Sequence, residues 1–242
     1  MASNTTPKSF VLVHGAYHGG WCWKRVADVL RSRGHSVTTP TQTGVGERSH
    51  LLSESVTLSV FIDDIVNHLI WEDLTGVVLV GHSLGGITIT GVADAVPERL
   101  TKLIYLDAVI LENGEALFDV FPKEVVEARL EAANETSGGF TIPASPAASY
   151  GIFDPADVAF VEGRLTPHPV ATCRNPLMIN NPAGNGLPTN YIMCVDPVYE
   201  AVRVFHQRAR EAGWPISELA AGHDAMVTEP VATADLLEKL SA

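Results

Sequence analysis

Short apolar runs alternate with amphipathic segments along most of this 242-residue chain. The runs are SFVLVHG (9–15), SVTTPT (36–41), VVLVGH (77–82), LIYLDAVI (103–110), NYIMCV (190–195) and ISELA (216–220). Their nearly continuous hydrophobicity and their β-branched residues are typical of parallel strands that are covered on both faces. The segments between them place apolar residues three or four positions apart, as amphipathic helices do. This alternation predicts an α/β fold in which helices flank a mainly parallel sheet.

The segment 111–188 interrupts this alternation. It is rich in Pro, Ala, Gly and Asn and contains no clear strand–helix unit. Stretches of this length without secondary structure are uncommon inside compact domains and usually have a function. A disordered linker is the alternative, but linkers rarely carry as many aromatic residues as this segment does. We therefore predict a core formed by 1–110 and 189–242, and an inserted helical cap over 111–188.

The charge balance is acidic, since 16 Lys and Arg against 28 Asp and Glu give a formal net charge of −12 at pH 7. Nucleic acids and anionic membranes bind basic surfaces, so neither is predicted as a partner. The three cysteines lack metal-site spacing and predict reduced thiols rather than disulfides. The polar N-terminus does not resemble a signal peptide, and no apolar run reaches the ~20 residues of a membrane span. We expect a cytoplasmic location.

The run VVLVGH leads directly into GHSLG (81–85), which fits the pattern G-x-S-x-G. Between a strand and a helix, this pattern is typical of a strained turn that exposes a nucleophilic serine above a sheet. The alternative is an ordinary turn that happens to contain Gly and Ser. The flanking strand and helix favour Ser83 as a nucleophile.

His223 is the predicted general base. It lies in the loop that follows the run ISELA, at the carboxyl end of a predicted strand. A loop histidine is usually unremarkable, but the order of serine and then histidine is the one expected with this serine motif. His14 and His82 flank the predicted catalytic segments and are expected to shape loops.

An oxyanion formed at Ser83 needs two preorganised N–H donors. Leu84 follows the serine and would supply one from its backbone. The other is expected from the loop HGAYHGGWCW (14–23), where glycines let the backbone approach a substrate closely. That loop follows the first predicted strand, and α/β sheets bind ligands at this end of their strands.

Two carboxylates compete to orient the imidazole of His223. Asp107 lies in an otherwise apolar run, where an unpaired carboxylate would be costly. Asp196 follows the run NYIMCV, 27 residues before the histidine (223 − 196 = 27), and Pro197 stiffens its turn. Asp107 is the preferred acid and Asp196 the alternative.

Three stretches carry a resemblance to a known family. The sequences FVLVHGAYHGGWCWKRVADVLRSRGHSVTTP (10–40), VVLVGHSLGG (77–86) and AGHDAMVTEP (221–230) resemble the methylesterase and hydroxynitrile-lyase branch of the α/β-hydrolases, including its bacterial carboxylesterases. The resemblance covers the predicted core well and the cap poorly. It implies the α/β-hydrolase fold with a six-stranded sheet, a helical cap over the serine, no cofactor, and Ala16 and Leu84 as oxyanion donors.

This sequence differs from two groups of related enzymes at positions that their reactions need, which argues against those reactions here. The lyases of this branch carry a threonine and a lysine where this chain has Gly15 and Asp224, so their means of binding cyanide is missing. Dehalogenases and epoxide hydrolases of similar fold place an aspartate where Ser83 stands.

These residues predict a serine esterase that hydrolyses a small or medium hydrophobic, aromatic ester or carbamate through an acyl-enzyme. A non-hydrolytic ligand-binding protein on the same fold is the alternative, and a hydroxynitrile-lyase-type activity is a weaker one. The only partner predicted is the small-molecule substrate, homodimer formation is left open, and no metal site is expected. The pocket is predicted to be lined by aromatic and apolar side chains: Tyr17, Trp21, Trp23, Phe118, Phe153 and Met226.

Overall fold

The computed structural model of the protein describes residues 6–242. The strands in this part of the chain are β1 (Ser9–Val13), β2 (Ser36–Thr38), β3 (Val77–His82), β4 (Leu100–Leu106), β5 (Thr141–Ile142), β6 (His168–Pro169), β7 (Thr189–Cys194) and β8 (Ile216–Leu219). Six of them form one sheet in the order β2-β1-β3-β4-β7-β8, and every neighbouring pair is parallel. The predicted α/β-hydrolase fold is confirmed.

The α-helices of the described chain are α1 (Lys24–Ser32), α2 (Leu58–Trp71), α3 (Gly85–Ala95), α4 (Leu117–Val120), α5 (Lys123–Ser137), α6 (Pro155–Glu162), α7 (Val170–Arg174), α8 (Arg203–Glu211), α9 (Ala225–Thr228) and α10 (Pro230–Leu240). Short 3-10 helices cover Gly20–Trp23, Gly46–Leu51, Pro97–Arg99, Ala147–Tyr150 and Glu200–Val202. None of the helices described within 6–242 is both long and apolar enough to cross a bilayer.

The central strands are buried on both faces, as their composition predicts. Every residue of β3 and β7 is buried, and α3 contributes a nearly continuous buried surface against β3. Burying apolar surface on this scale is the main force that stabilises such a fold. It also holds the carboxyl ends of the parallel strands in fixed positions.

The segment between β4 and β7 holds α4 to α7 and a small antiparallel pair formed by β5 and β6. The helical content agrees with the character expected for 111–188, while the two-residue strands were not anticipated. The division of the chain into a core and a cap stays a prediction. Side chains from this segment, including Arg129 and Tyr150, line a cavity that also contains Ser83.

Candidate active site

Ser83 lies on a tight turn between β3 and α3. Its φ of +53° is in the left-handed region, which costs energy for a residue with a side chain. The turn is held by the end of β4, because Ser83 N–H donates to Leu106 O at 3.2 Å and Ser83 O accepts from Val109 N–H at 2.9 Å. The backbone is therefore fixed on both sides of the half-buried serine.

Two glycines make this turn sterically feasible. A Cβ atom at Gly81 would lie 2.7 Å from Gly85 O, and one at Gly85 would lie 2.7 Å from His14 O. Backbone atoms cannot yield to such contacts as a flexible side chain can. The small residues on either side of the serine in GHSLG thus allow α3 to pack tightly against β3 and the loop after β1.

The imidazole of His223 is held by Asp107. Nδ1 of His223 lies 2.6 Å from Oδ2 of Asp107, and both side chains are buried. The other carboxylate oxygen accepts hydrogen bonds from His206 Nε2 at 2.7 Å and from Cys194 N–H at 3.2 Å. Burial alone would raise the pKa of Asp107, but the hydrogen bonds from His206 and His223 outweigh it and lower the pKa to about 2.

Asp196 does not take part in this arrangement. Its side chain is exposed, whereas Asp107 is fully buried at the carboxyl end of β4. Among residues 6–242, the Asp196 carboxylate has no hydrogen bond or ion pair, while its N–H donates to Ala221 O at 3.1 Å. The turn that carries Asp196 thus leads it towards solvent and away from His223.

Two backbone N–H groups near Ser83 are free of internal acceptors. Within the described chain, neither Ala16 N–H nor Leu84 N–H has a hydrogen-bond acceptor, and both residues line the cavity with Ser83. Unpaired amides at a buried site are costly unless a ligand or water satisfies them. Two unpaired N–H donors that line one cavity are what an oxyanion hole needs.

Gly15 brings the loop after β1 into direct contact with the serine. A Cβ atom at this position would lie 2.6 Å from Ser83 Cβ and 3.1 Å from His82 Nδ1. The larger threonine of the lyases does not fit here without a shift of the backbone. This steric limit agrees with the departure from the lyases seen in the sequence.

The cavity over Ser83 is small, with a volume of about 40 Å³, and its walls are aromatic. Since one water needs roughly 10–15 Å³ measured in this way, it holds only a few waters. His223 lines it together with Ser83, and its ring packs against Tyr199 with centroids 4.3 Å apart. The other aromatic walls are Tyr17, Phe121 and Tyr150.

Most of the other predicted pocket residues lie elsewhere. Trp23 and Met226 are fully buried in the core, and Phe118 packs against the core without reaching the cavity. Phe153 is 67% exposed on the outside of the molecule. Trp21 stands one layer behind the cavity, stacked on His18 at 5.2 Å between ring centroids. Apolar character alone did not distinguish packing residues from cavity walls, so these assignments are corrected.

A larger groove, of about 540 Å³, runs along α5 and the segment 142–146. Tyr17, Arg129 and Tyr199 line both this groove and the inner cavity. The guanidinium of Arg129 lies 4.7 Å from the centre of the Phe121 ring. These three shared residues lie between the inner cavity and the groove.

Besides His223 and Asp107, the site holds a second buried histidine–aspartate pair, which the sequence did not predict. His18 Nε2 is 2.9 Å from Asp224 Oδ2, and both side chains are almost completely buried. The one feature of the sequence that pointed to His18 was its position in the loop after β1. His206 lies in α8, and nothing local in the sequence indicates its contact with Asp107.

His82, His223 and Asp224 also offer potential ligand atoms within 4.8 Å of one another. Hydrogen bonds already account for much of this cluster. His82 Nε2 lies 2.9 Å from His223 O, His223 Nδ1 is bonded to Asp107, and Asp224 is bonded to His18. We interpret the cluster as a polar network, and the absence of a metal requirement stays a prediction.

Comparison with known proteins shows the family of this chain. A model of the alpha/beta hydrolase family matches residues 10–236, so the chain belongs to that family. A carbendazim hydrolyzing esterase from Nocardioides sp. (strain SG-4G) is 39% identical, over 97% of this chain and 98% of the relative. Methylesterase 7 of Arabidopsis thaliana is 30% identical, over 97% of this chain and 96% of the relative.

A solved structure extends the comparison to three dimensions. The extracellular alpha/beta-hydrolase from a Paenibacillus species has a TM-score of 0.82 and 25% identity, and the match covers 97% of this chain and 99% of that one. With these relatives, the protein is a hydrolase of the carboxylic-ester class.

Proposed function

We propose that the protein is a serine esterase whose triad is Ser83, His223 and Asp107, and whose substrate is a small or medium hydrophobic, aromatic carboxylic ester or carbamate. One observation carries the proposal. Ser83 and His223 line the same cavity, and the imidazole of His223 is fixed by Asp107 at 2.6 Å. A nucleophile, a base and an orienting acid are the parts that acyl transfer needs.

The first half of the reaction forms an acyl-enzyme. Because Nδ1–H of His223 donates to Asp107, Nε2 is the basic atom and takes the proton from Ser83 Oγ. Oγ forms a bond to the carbonyl carbon, and the N–H groups of Ala16 and Leu84 stabilise the resulting oxyanion. When the tetrahedral intermediate collapses, the bond to the alcohol oxygen breaks and His223 returns its proton to the alcohol.

The second half regenerates the enzyme. Nε2 of His223 removes a proton from water, and the hydroxide attacks the acyl or carbamoyl carbon in the same oxyanion hole. Collapse breaks the bond to Ser83 Oγ, which recovers its proton from His223. The product is a carboxylic acid, or a carbamic acid when the substrate is a carbamate. No step draws on a metal or a cofactor.

The substrate class rests on the cavity and on the relatives. A cavity of about 40 Å³ has room for only a few waters, so the bulk of an aromatic substrate would extend past Tyr17, Arg129 and Tyr199 into the outer groove. The groove is therefore the proposed access route. The relative named as a carbendazim hydrolyzing esterase supports an aromatic carbamate, and the methylesterases support a small alcohol.

A matched substrate panel tests this proposal. We would compare an aryl methyl ester, the corresponding aryl methyl carbamate and a long-chain aliphatic ester, and measure kcat/KM and pre-steady-state bursts. The proposal expects turnover of one or both aryl methyl compounds, with kcat/KM at least 100-fold above that of the long-chain ester. Equal rates on all three, or a preference for the long acyl chain, would contradict the substrate class.

A further inference from the structure

The loop after β1 is held by histidines that differ in their hydrogen-bond roles. His14 Nδ1–H donates to Gly15 O at 2.8 Å, and His14 Nε2 accepts from Gln42 N–H at 3.1 Å. One nitrogen donates and the other accepts, so the ring is neutral. Burial agrees with this state, since it lowers the pKa of His14 to about 4.

His168 holds the same loop from the opposite side. Its Nδ1 accepts from Tyr17 N–H at 3.3 Å, and its Nε2–H donates to Thr172 Oγ1 at 2.8 Å. The hydroxyl of Thr172 donates in turn to Pro169 O, which leaves it as the acceptor for the ring. His168 is therefore also neutral, and burial lowers its pKa to about 3.

His18 is different because both of its nitrogens face acceptors. Nδ1 lies 2.7 Å from Ala16 O, and Nε2 lies 2.9 Å from Asp224 Oδ2. Neither a carbonyl nor a carboxylate has a hydrogen to give, so both nitrogens of the ring must donate. Only an imidazolium has two N–H groups.

The surroundings keep that charge in place. Burial would lower the pKa of His18, but the charge of Asp224 and its hydrogen bond outweigh burial, so the pKa is raised. Burial would likewise raise the pKa of Asp224, but the charge of His18 lowers it. The rings around His18 are those of His14, His82 and His168, which burial keeps neutral, and those of Trp21 and Tyr150. Arg129 is a further positive group that lines the cavity.

We propose that His18 is a positively charged positioning residue: it holds the carbonyl of Ala16 so that the N–H of Ala16 faces the oxyanion, and Asp224 keeps it protonated. The role in the reaction rests on the proposed function, whereas the charge state of His18 does not. The cation lies on the cavity side of the pair, since His18 lines the cavity with Ser83 and Asp224 lies behind it. A fixed positive group beside developing negative charge stabilises the transition state more than the ground state.

The charge is tested directly by NMR of protein labelled with ¹⁵N in its histidine rings. At pH 8 we expect the His18 ring to show two protonated nitrogens, at shifts typical of an imidazolium. The signal is assigned by its loss in His18→Gln, or by its proximity to the Trp21 indole if that variant does not fold. A neutral His18 ring at pH 8 would overturn the proposal, whatever the enzymatic activity.

The role in the reaction is tested with Asp224→Asn, which removes the negative charge but keeps a group of the same shape. Without that charge, burial lowers the pKa of His18 as it does for His14 and His168, so the His18 ring should be neutral from pH 6 to 8. We expect kcat to fall at least tenfold throughout this range, with KM changed less than threefold, because the ester still binds but its oxyanion is stabilised less. A neutral His18 ring in Asp224→Asn with a wild-type kcat, or a loss that appears in KM alone, would contradict the proposal.

His18→Gln should lower kcat by roughly 10- to 100-fold and change KM less than threefold, since the loss of one oxyanion donor costs 10²–10³. His68→Gln is the matched control, because His68 is hydrogen-bonded to Thr38 and does not line the cavity. It should leave kcat and its pH dependence unchanged. If Ser83→Ala retained full activity, the proposed function would fail, but the NMR result would stand by itself.

Discussion

Asp107 Oδ2 lies 2.6 Å from His223 Nδ1, and this contact fixes which nitrogen of the imidazole carries the proton. Replacing the acid with its amide keeps the shape but favours the wrong tautomer of His223. We predict that Asp107→Asn lowers kcat by roughly 10³–10⁴, measured by steady-state kinetics on the purified variant.

Asp196→Asn is the matched control, because it makes the same chemical change at an exposed carboxylate. We expect a loss of less than tenfold. A large loss of kcat in Asp196→Asn and a small one in Asp107→Asn would show that Asp196 is the acid. The contact between Asp107 and His223 would then only stabilise the fold.

Three fully buried neutral histidines predict a stability that depends on pH. Burial lowers the pKa of His14 to about 4 and that of His82 and His168 to about 3, against ~6.5 in the unfolded chain. The contribution of these histidines to the free energy of unfolding is therefore complete above pH ~6.5. It is lost as the pH falls towards their pKa values in the folded protein. We predict that the free energy of unfolding decreases by roughly 1 kcal/mol per histidine and pH unit between pH 6 and 4.5.

Urea unfolding followed by circular dichroism at several pH values measures this slope. His168→Gln removes one of the three groups and should reduce the slope by about a third. His50→Gln changes an exposed histidine and should leave it unaltered. An unfolding free energy that stays constant between pH 6.5 and 4.5 would disprove the neutral, buried state of these rings.

Activity is predicted to be independent of metals. The cluster of His82, His223 and Asp224 is already engaged by hydrogen bonds to Asp107, His18 and the backbone. Dialysis against EDTA should leave kcat/KM within twofold of the untreated enzyme. A loss of activity that added zinc restores would show that the cluster binds a functional metal.

Arg129 is predicted to restrict access from the outer groove to the cavity. Its guanidinium packs on Phe121, and Arg129 lines both the inner cavity and the groove. Arg129→Ala should raise kcat/KM for a bulky aryl ester at least fivefold and change that for a small acetate ester less than twofold.

Arg164→Ala is the control for the loss of one charge and one cation–π contact, since Arg164 lies over Phe160 away from the cavity. Arg164→Ala should leave kcat/KM for both substrates unchanged. A parallel loss on both substrates in Arg129→Ala would show that Arg129 supports the site rather than restricting access.

Local sequence patterns predicted the sheet well. The run VVLVGH coincides with β3, and the other five runs each overlap one strand of the main sheet. Burial on both faces leaves a strong signal in composition, and the parallel order places Ser83 and His223 at the same edge. Ser83, His223, Ala16 and Leu84 do line one cavity.

Contacts between distant segments had no such signal. His206 and Asp107 are 99 positions apart, and His18 and Asp224 are 206 apart, so no local pattern relates them. The placement of Phe153 and Met226 failed for a related reason: an apolar side chain fits a core, a surface contact or a pocket wall equally well. Only the packing in the folded protein shows which of these three environments such a side chain occupies.

The most direct test of the account is covalent labelling with a fluorophosphonate, because it reports the activated serine without any assumption about the substrate. Ser83 Oγ bonds to phosphorus, fluoride leaves, and His223 takes the proton. We predict one adduct per chain, located at Ser83 by peptide mass spectrometry. It should be absent from Ser83→Ala, which should fold normally and lose activity by roughly 10⁴–10⁶. An unlabelled wild-type protein, an adduct on another residue, or a Ser83→Ala variant with more than a tenth of the wild-type rate would contradict the assignment.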